Sequence, residues 1–200
     1  MMDLFQQLLY RRDACTDKDQ VSGLVSVSMF EIVDEELGAG VSEEIRKEHK
    51  VPRQLIPLLK YPARIFLSAL ASAATRLYVK GWDYERTLKA VGARGTESFL
   101  DSPVGKTLVM LNGKSPDRLM RAAPLAYRTV YTYGERYHEA RGPLGAAIHY
   151  TRELLGPSVQ SGVLSAGIQY SCGIVPRVQI THESDNGLNF TLEVSWDEVK

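Results

Sequence analysis

The longest regular apolar stripe in the chain lies between Ala63 and Val79, where Phe66, Leu67, Leu70, Ala73, Ala74 and Leu77 recur at steps of three and four. That rhythm predicts a helix with one face turned to a core. Upstream, Phe30, Val33 and Leu37 share a helical face within Leu24 to Leu37, and Gly38 and Gly40 supply a stop. Ser42 is placed to cap a short charged helix. Pro52, Pro57 and Pro62 make the next stretch a connector, because each removes a backbone donor and keeps the residue before it from helical geometry. Downstream, Asp83 can cap a helix from Tyr84 to about Phe99 whose face carries Leu88, Val91, Gly92, Gly95 and Phe99. Gly92 and Gly95 would let another backbone come close. Ser102-Pro103 and Ser115-Pro116 each set a capping side chain before a proline suited to a first helical turn, which predicts two more helices, the second disrupted near Pro124.

The period then changes from helical to two-residue. Tyr131, Tyr133, Glu135 and Tyr137 alternate with Thr132, Gly134, Arg136 and His138, Arg141-Gly142-Pro143 makes a turn, and Leu144, Ala146, Ile148 and Tyr150 share one face of a second strand. Pro157 and Ser158 start a helix carrying Val159, Val163, Ala166, Ile168 and Tyr170 toward a glycine stop at Gly173. Val178 and Ile180, then Leu188, Phe190, Leu192, Val194 and Trp196, alternate around Ser184-Asp185-Asn186-Gly187, whose Asn-Gly pair favours a tight hairpin. The last five apolar residues share one parity and are expected to face inward. The order predicts an α+β fold: an N-terminal helical layer packed on a C-terminal antiparallel sheet of about four strands in hairpin-helix-hairpin order. Residues 1–20, ending in Asp13, Asp17, Lys18 and Asp19, read as an arm or loosely docked helix, and residues 21–200 as a single domain.

Composition narrows the function. Twenty-four basic and 24 acidic residues cancel, so no net field draws the molecule to nucleic acid or anionic lipid. Cys15 and Cys172 are too few for a disulfide framework or a four-thiolate metal site and suit a cytoplasmic chain with reduced thiols. Neither a secretory leader nor a membrane span is expected: Ala63 to Val79 is short and carries Arg64 and Arg76.

The catalytic motifs fail on inspection. Gly105-Lys106-Thr107 lacks the glycine five residues earlier that a phosphate loop needs, since Leu100 stands there, and Pro103 removes an amide from the would-be cradle. Ser165-Ala166-Gly167 lacks the leading glycine of a nucleophile elbow and follows a helix. His49, His138, His149 and His182 show no metal-binding spacing, although His138 and His149 could share a sheet face with Glu139 or Glu183 if the hairpins pair suitably. The unusual usage is tyrosine, with Tyr127, Tyr131, Tyr133, Tyr137 and Tyr150 grouped around the first hairpin and Tyr170 after it. Such residues either pack a half-buried sheet or bring rings and hydroxyls to a ligand cavity or interface.

Lys60-Tyr61-Pro62-Ala63, then Leu77-Tyr78, Leu88, Gly92, Phe99 and Gly105, and the closing Leu192-Glu193-Val194-Ser195-Trp196 resemble a myxobacterial paralogous family built on a domain of unknown function. The likeness runs from roughly Val21 to Trp196. That family is distantly similar to vinyl-reductase-type and haem nitric-oxide-binding domains and to vesicle-transport subunits, which implies binding and not chemistry. Haem does not carry over: the haem-binding relatives use Tyr-x-Ser-x-Arg, whereas Tyr131-Thr132-Tyr133-Gly134-Glu135 lacks the serine and the arginine at that spacing. Cys172 alone does not supply the cysteine-rich metal site of some vinyl-reductase-type sensors.

The pattern and the resemblance together imply a non-enzymatic sensory or regulatory module, with no cofactor and no metal. A small apolar ligand is expected between Phe66, Leu70, Phe99 and the inner sheet face, with Tyr131, Tyr133 and Tyr150 as the polar groups. The alternative is an assembly subunit that meets a protein partner or a second copy through the aromatic sheet surface, where Phe190 and Trp196 are concentrated.

Overall fold

A computed structural model describes residues 3–184 and 186–198, so Asp185 of the predicted terminal turn lies outside the described residues. The elements run α1 (Leu4–Asp13), β1 (Gln20–Ser22), α2 (Gly23–Leu37), α3 (Ala39–Glu48), β2 (Lys60–Pro62), α4 (Ala63–Val79), α5 (Tyr84–Asp101), α6 (Pro103–Asn112) and α7 (Pro116–Val130), followed by β3 (Glu135–Ala140), β4 (Gly145–Thr151), α8 (Pro157–Cys172), β5 (Arg177–Glu183) and β6 (Phe190–Ser195). The predicted α+β order is the observed one.

The caps act where sequence chemistry places them. Asp83, Ser102 and Ser115 each accept a backbone N–H in the first turn of α5, α6 and α7, and the last two are followed by proline. Gly173 ends α8 in the left-handed conformation, at φ 73°. Ser42 behaves differently. It lies inside α3, whose N-cap is Gly38, and its hydroxyl donates back to the Ala39 carbonyl. Pro124 does not disrupt α7 either, because Leu119, Met120 and Tyr127 anchor the helix on both sides of it and one missing donor is tolerated.

The sheet order is β3-β4-β6-β5, with antiparallel neighbours throughout. Its inner face follows from register. Arg136, Tyr150 and Phe190 stand in one row; His138, Ile148, Leu192 and Ile180 in the next; Ala140, Ala146, Val194 and Val178 in the third. Phe190, Leu192, Val194 and Trp196 are buried, as their shared parity predicts, whereas Leu188 at the turn is half-buried and Thr191, of the opposite parity, is buried too. The first hairpin starts later than its alternation suggested. Tyr131 makes an isolated bridge with Val21, the chain turns, and only at Glu135 does β3 begin, so Arg136 faces in and Tyr137 faces out. Tyr170 likewise points to solvent, donating its hydroxyl to Asp101.

α7 and α8 lie against the sheet, α5 packs on α8, and α2 and α4 pack behind α5. The closest approach is between α5 and α8. A Cβ at Gly92 would stand 2.0 Å from the Val159 carbonyl oxygen, and one at Gly162 would stand 2.1 Å from that of Lys89. At both positions only glycine lets the two backbones meet.

The segment read as an arm or loosely docked helix carries α1, whose Leu8 and Arg11 side chains are buried. Leu8 is buried in the core, and the Arg11 guanidinium, 3% exposed, donates to the Gly187 carbonyl at 3.0 Å beside Glu183 at 3.7 Å. A few residues on, Asp19 receives both terminal nitrogens of Arg152, at 2.8 and 2.6 Å, and the Thr16 amide and hydroxyl. These bonds tie the N-terminal region to the sheet. Short strands β1 and β2 pair from Gln20–Pro62 to Ser22–Lys60 and close the other side.

Two outcomes follow. Removing the 4%-exposed Trp196 side chain by Trp196→Ala is expected to cost about 3–5 kcal/mol and to lower Tm by roughly 6–20 °C; an unchanged Tm would contradict its place in the core. The Arg152 bond holds the Asp19 carboxyl down at about 2 from its ordinary 3.8, so the stabilisation is present above the ordinary value and is lost as pH falls toward about 2. With Arg152 partly exposed, this amounts to about 1–2 kcal/mol. Urea unfolding of wild type against Asp19→Asn should show a gap at pH 6 that closes by pH 2.

Candidate ligand cavity and its tyrosine wall

A cavity of about 80 Å³ lies among α2, α5, α6, α7 and α8. Val25 comes from α2, Val91, Gly92, Gly95, Thr96, Phe99 and Leu100 from α5, and Leu108 from α6. α7 contributes Leu119, Met120, Ala123, Ala126, Tyr127 and Val130, and α8 contributes Val163, Leu164 and Gly167, with Tyr131 at the end of α7. None of these residues carries a charge. Amphipathic helices that meet at a glycine crossing leave this space because Gly95 and Gly167 project nothing into it. A Cβ at Gly95 would find its nearest neighbour, Val25, 4.0 Å away, and one at Gly167 would sit 3.8 Å from Thr96.

Tyr127 and Tyr131 form one wall. Tyr127 packs 5.4 Å from Tyr131 and edge-on to Tyr150 at 6.0 Å, Tyr131 is 5.5 Å from Tyr133, and Tyr150 stacks on Phe190 at 4.6 Å. Behind these rings lies a buried ion pair. Arg136 and Glu153, with side chains 4% and 0% exposed, are in direct contact. Arg136 also donates to the Tyr133 carbonyl at 2.7 Å, and its guanidinium lies 4.4 Å from the centre of the Tyr127 ring. Glu153 accepts from the Leu155 amide at 2.9 Å and the Gln160 side chain at 3.0 Å. Burial is the largest single effect and works against the Arg136 charge, but Glu153 together with the Tyr127, Tyr133 and Tyr150 phenols outweighs it and raises the pKa. The pair is held in place by these bonds.

Burial pushes the phenols of Tyr127, Tyr131, Tyr133 and Tyr150 up, so they remain O–H donors. The hydroxyls of Tyr127, Tyr133 and Tyr150 are buried without a partner that meets hydrogen-bond geometry, although Tyr127 and Tyr150 lie close enough to act on each other.

Of the residues singled out by sequence, Phe99 and Tyr131 line this cavity. Tyr133 and Tyr150 stand in the layer behind it, and Phe66 lines a separate space of about 110 Å³ with Met29, Phe30 and Tyr61. Leu70 is fully buried in the main core. Phe66 and Leu70 are therefore not brought together with Phe99. Sequence reading passed over Tyr127 as a lining residue, and Arg136 and Glu153 altogether; Tyr127 shares a helical face with Met120, Ala123 and Val130, which was the available signal. His138 and His149 lie on opposite sheet faces. His149 bonds Thr191 at 3.0 Å and Glu139 at 2.8 Å on the outer face, away from the cavity. Among the described residues no cluster of three or more His, Cys, Asp or Glu side chains is placed to hold a metal ion. Cys15 is buried, which pushes its thiol up to about 11. Phe190 and Trp196 are buried too, so neither is on the outer sheet surface.

The architecture is an α+β fold like that of H-NOX domains. The structure is similar to a single-site variant of the unliganded Fe(II) H-NOX protein from K. algicida, with TM-score 0.72 and 12% identity over 88% of this chain and 97% of the other. It is similar to the Fe(II)NO form of an H-NOX protein from S. oneidensis, with TM-score 0.68 and 16% identity over 88% and 99%. An oxygen-binding H-NOX domain related to soluble guanylate cyclases gives TM-score 0.63 and 12% identity over 89% and 96%. No curated protein matches by sequence. The chain belongs to the family described as Protein of unknown function (DUF2378), which matches residues 14–197.

The lining does not fit a haem. It offers no imidazole and no thiolate; its donors are the Met120 thioether and phenols kept protonated by burial, and about 80 Å³ is far less than a porphyrin needs. The Tyr-x-Ser-x-Arg comparison gains a detail here: an arginine does follow, one residue late at Arg136, and it is bound to Glu153.

Gly92 and Gly95 separate packing from vacancy on one helix. Gly92→Ala should destabilise strongly by driving a methyl into the Val159 carbonyl, whereas Gly95→Ala should stabilise by up to about 1 kcal/mol through helix propensity. Thermal melts of the two variants check the contrast.

Proposed function

We propose that this chain is a non-enzymatic sensory or regulatory module that takes a small apolar ligand into the cavity between α2, α5, α6, α7 and α8. The observation that carries the reading is the pair of helix-interior glycines, Gly95 and Gly167, which line the cavity with room for a methyl group at each. Glycine inside a helix costs roughly 0.5–1 kcal/mol relative to alanine, and filling a void would add dispersion contacts. Unlike Gly92 and Gly162, these two have no steric need to be glycine. What their small size maintains is the vacancy.

The cavity chemistry supports binding over turnover. Thr96, the one aliphatic hydroxyl in the lining, donates to the Gly92 carbonyl at 2.9 Å, and no histidine or carboxylate lines the space to serve as its base. The likeness of fold to H-NOX proteins, one of which binds oxygen by its description, agrees with a ligand-binding role.

Native mass spectrometry of freshly purified protein tests this. A non-covalent adduct is expected on the wild type and is expected to be absent from Gly95→Val, whose side chain occupies the cavity. The bare chain mass alone, with no change in Tm on adding apolar probes of benzene size or smaller, would overturn the reading.

A further inference from the structure

We propose that the turn from Ile56 to Leu59 is a membrane-contact site, by which the chain docks on the surface of an anionic phospholipid bilayer. The site is separate from the cavity and goes beyond the ligand-binding reading.

One turn carries three aliphatic side chains outward. Ile56, Leu58 and Leu59 are 58, 61 and 52% exposed, and the Leu59 amide donates to the Ile56 carbonyl at 3.1 Å, closing the turn over Pro57. Its backbone is bonded inward. The Gly23 and Leu24 amides at the start of α2 donate to the Leu59 and Pro57 carbonyls, each at 2.8 Å, and the Ser22 hydroxyl donates to the Pro57 carbonyl as well. The Ile56 amide donates to the Tyr61 hydroxyl at 3.0 Å. Gly23 permits this close seat, since a Cβ there would stand 2.5 Å from the Ile56 carbonyl oxygen. Backbone groups already bonded within the protein give up no water when the turn enters an apolar layer, which is the condition that irregular backbone has to meet there.

The charge around the turn selects the layer. The chain is neutral as a whole, but no acidic residue stands between Glu48 and Asp83, whereas Lys50, Arg53, Lys60, Arg64, Arg76 and Lys80 all do. The carboxylates of Glu44 and Glu48 are taken by Arg76, and the exposed Lys47, Lys50 and Arg53 have no carboxylate partner among the described residues. Lys50 borders the same small space as Leu55 and Tyr61, beside the turn, and Arg46 ties the connection to α3 by donating to the Pro52 carbonyl at 3.2 Å. Aliphatic tips and unpaired cations are two signals that together hold a protein at an anionic bilayer, where either alone is weak. A nucleic acid would engage the cations and leave the aliphatic side chains in water. Among the described residues no helix is long and apolar enough to cross a membrane, and the contact proposed is a superficial one.

Co-sedimentation with vesicles of phosphatidylcholine alone, and of phosphatidylcholine with about one-third phosphatidylserine, tests the proposal at about 0.15 M salt. Wild type is expected to bind the anionic vesicles roughly tenfold tighter than the neutral ones. The double substitution Leu58→Ser with Leu59→Ser, and separately Lys50→Glu with Arg53→Glu, should each weaken that binding roughly tenfold. Val79→Ser, at an 85% exposed position on the far end of α4, should leave it unchanged. All five positions are exposed, and Tm measured on the same samples confirms that the variants fold. Equal binding to both vesicles, binding to neither, or anionic binding unaltered by the Leu58 and Leu59 pair overturns the proposal. A dimer in light scattering that this pair dissociates, without vesicle binding by wild type, assigns the turn to a second copy of the chain and overturns it too. The wild-type comparison of the two vesicles decides even if a variant fails to fold.

Discussion

Two helix backbones meet where Gly92 faces the Val159 carbonyl and Gly162 faces that of Lys89, and the rest of the architecture depends on that contact. α8 lies on the sheet and α5 lies on α8, so the crossing fixes how far the helical layer stands from the strands. A methyl on either glycine would have to displace backbone and not a flexible side chain, which is the costly kind of adjustment in a close-packed interior. Away from that contact, Gly95 faces Val25 of α2 and Gly167 faces Thr96 and Leu119, each with room for a methyl group. Contact at one turn of α5 and vacancy at the next are parts of one geometry.

The Arg136–Glu153 pair closes the polar side of that geometry. Arg136 reaches it from an inward position of β3 in register with Tyr150, and Glu153 from the connection between β4 and α8. Burying two charges is expensive, and mutual contact with supporting bonds from Leu155, Gln160 and the Tyr133 carbonyl offsets the expense only in one arrangement. Four tyrosine rings around the guanidinium restrict that arrangement further. These contacts fix one arrangement of the cavity wall.

At 12–16% identity to the H-NOX structures, the likeness is in the placement of helices and sheet. The chemistry of the cavity is set by this chain's own side chains. No imidazole enters the space, and the arginine behind it is already paired with Glu153. A shared architecture supplies a gap between helices; side chains decide what the gap can hold.

The sequence by itself determined the local elements. α4 spans Ala63–Val79 because its apolar stripe has helical period, α5 to α7 begin where Asp83, Ser102 and Ser115 cap them, and the inward parity of Phe190 to Trp196 follows from two-residue alternation. Each depends on neighbours a few residues apart. Where longer range enters, local reading gave way: three-residue strands β1 and β2 carry no periodic signal, Pro124 is carried by contacts on either side, and the arm is held by Arg11 bonding Gly187, 176 residues away. The site belongs to that second kind. Gly92 and Gly95 looked alike as sequence, and only the placement of α8 against the first and of α2 at a distance from the second made one a contact and the other an opening. Arg136 was read only as alternating with the tyrosines, and the pairing of β3 with β4 is what turns it inward toward Glu153. Spacing along the chain encodes period and capping, whereas the meeting of distant faces is fixed only when the whole chain packs, and there the cavity was decided.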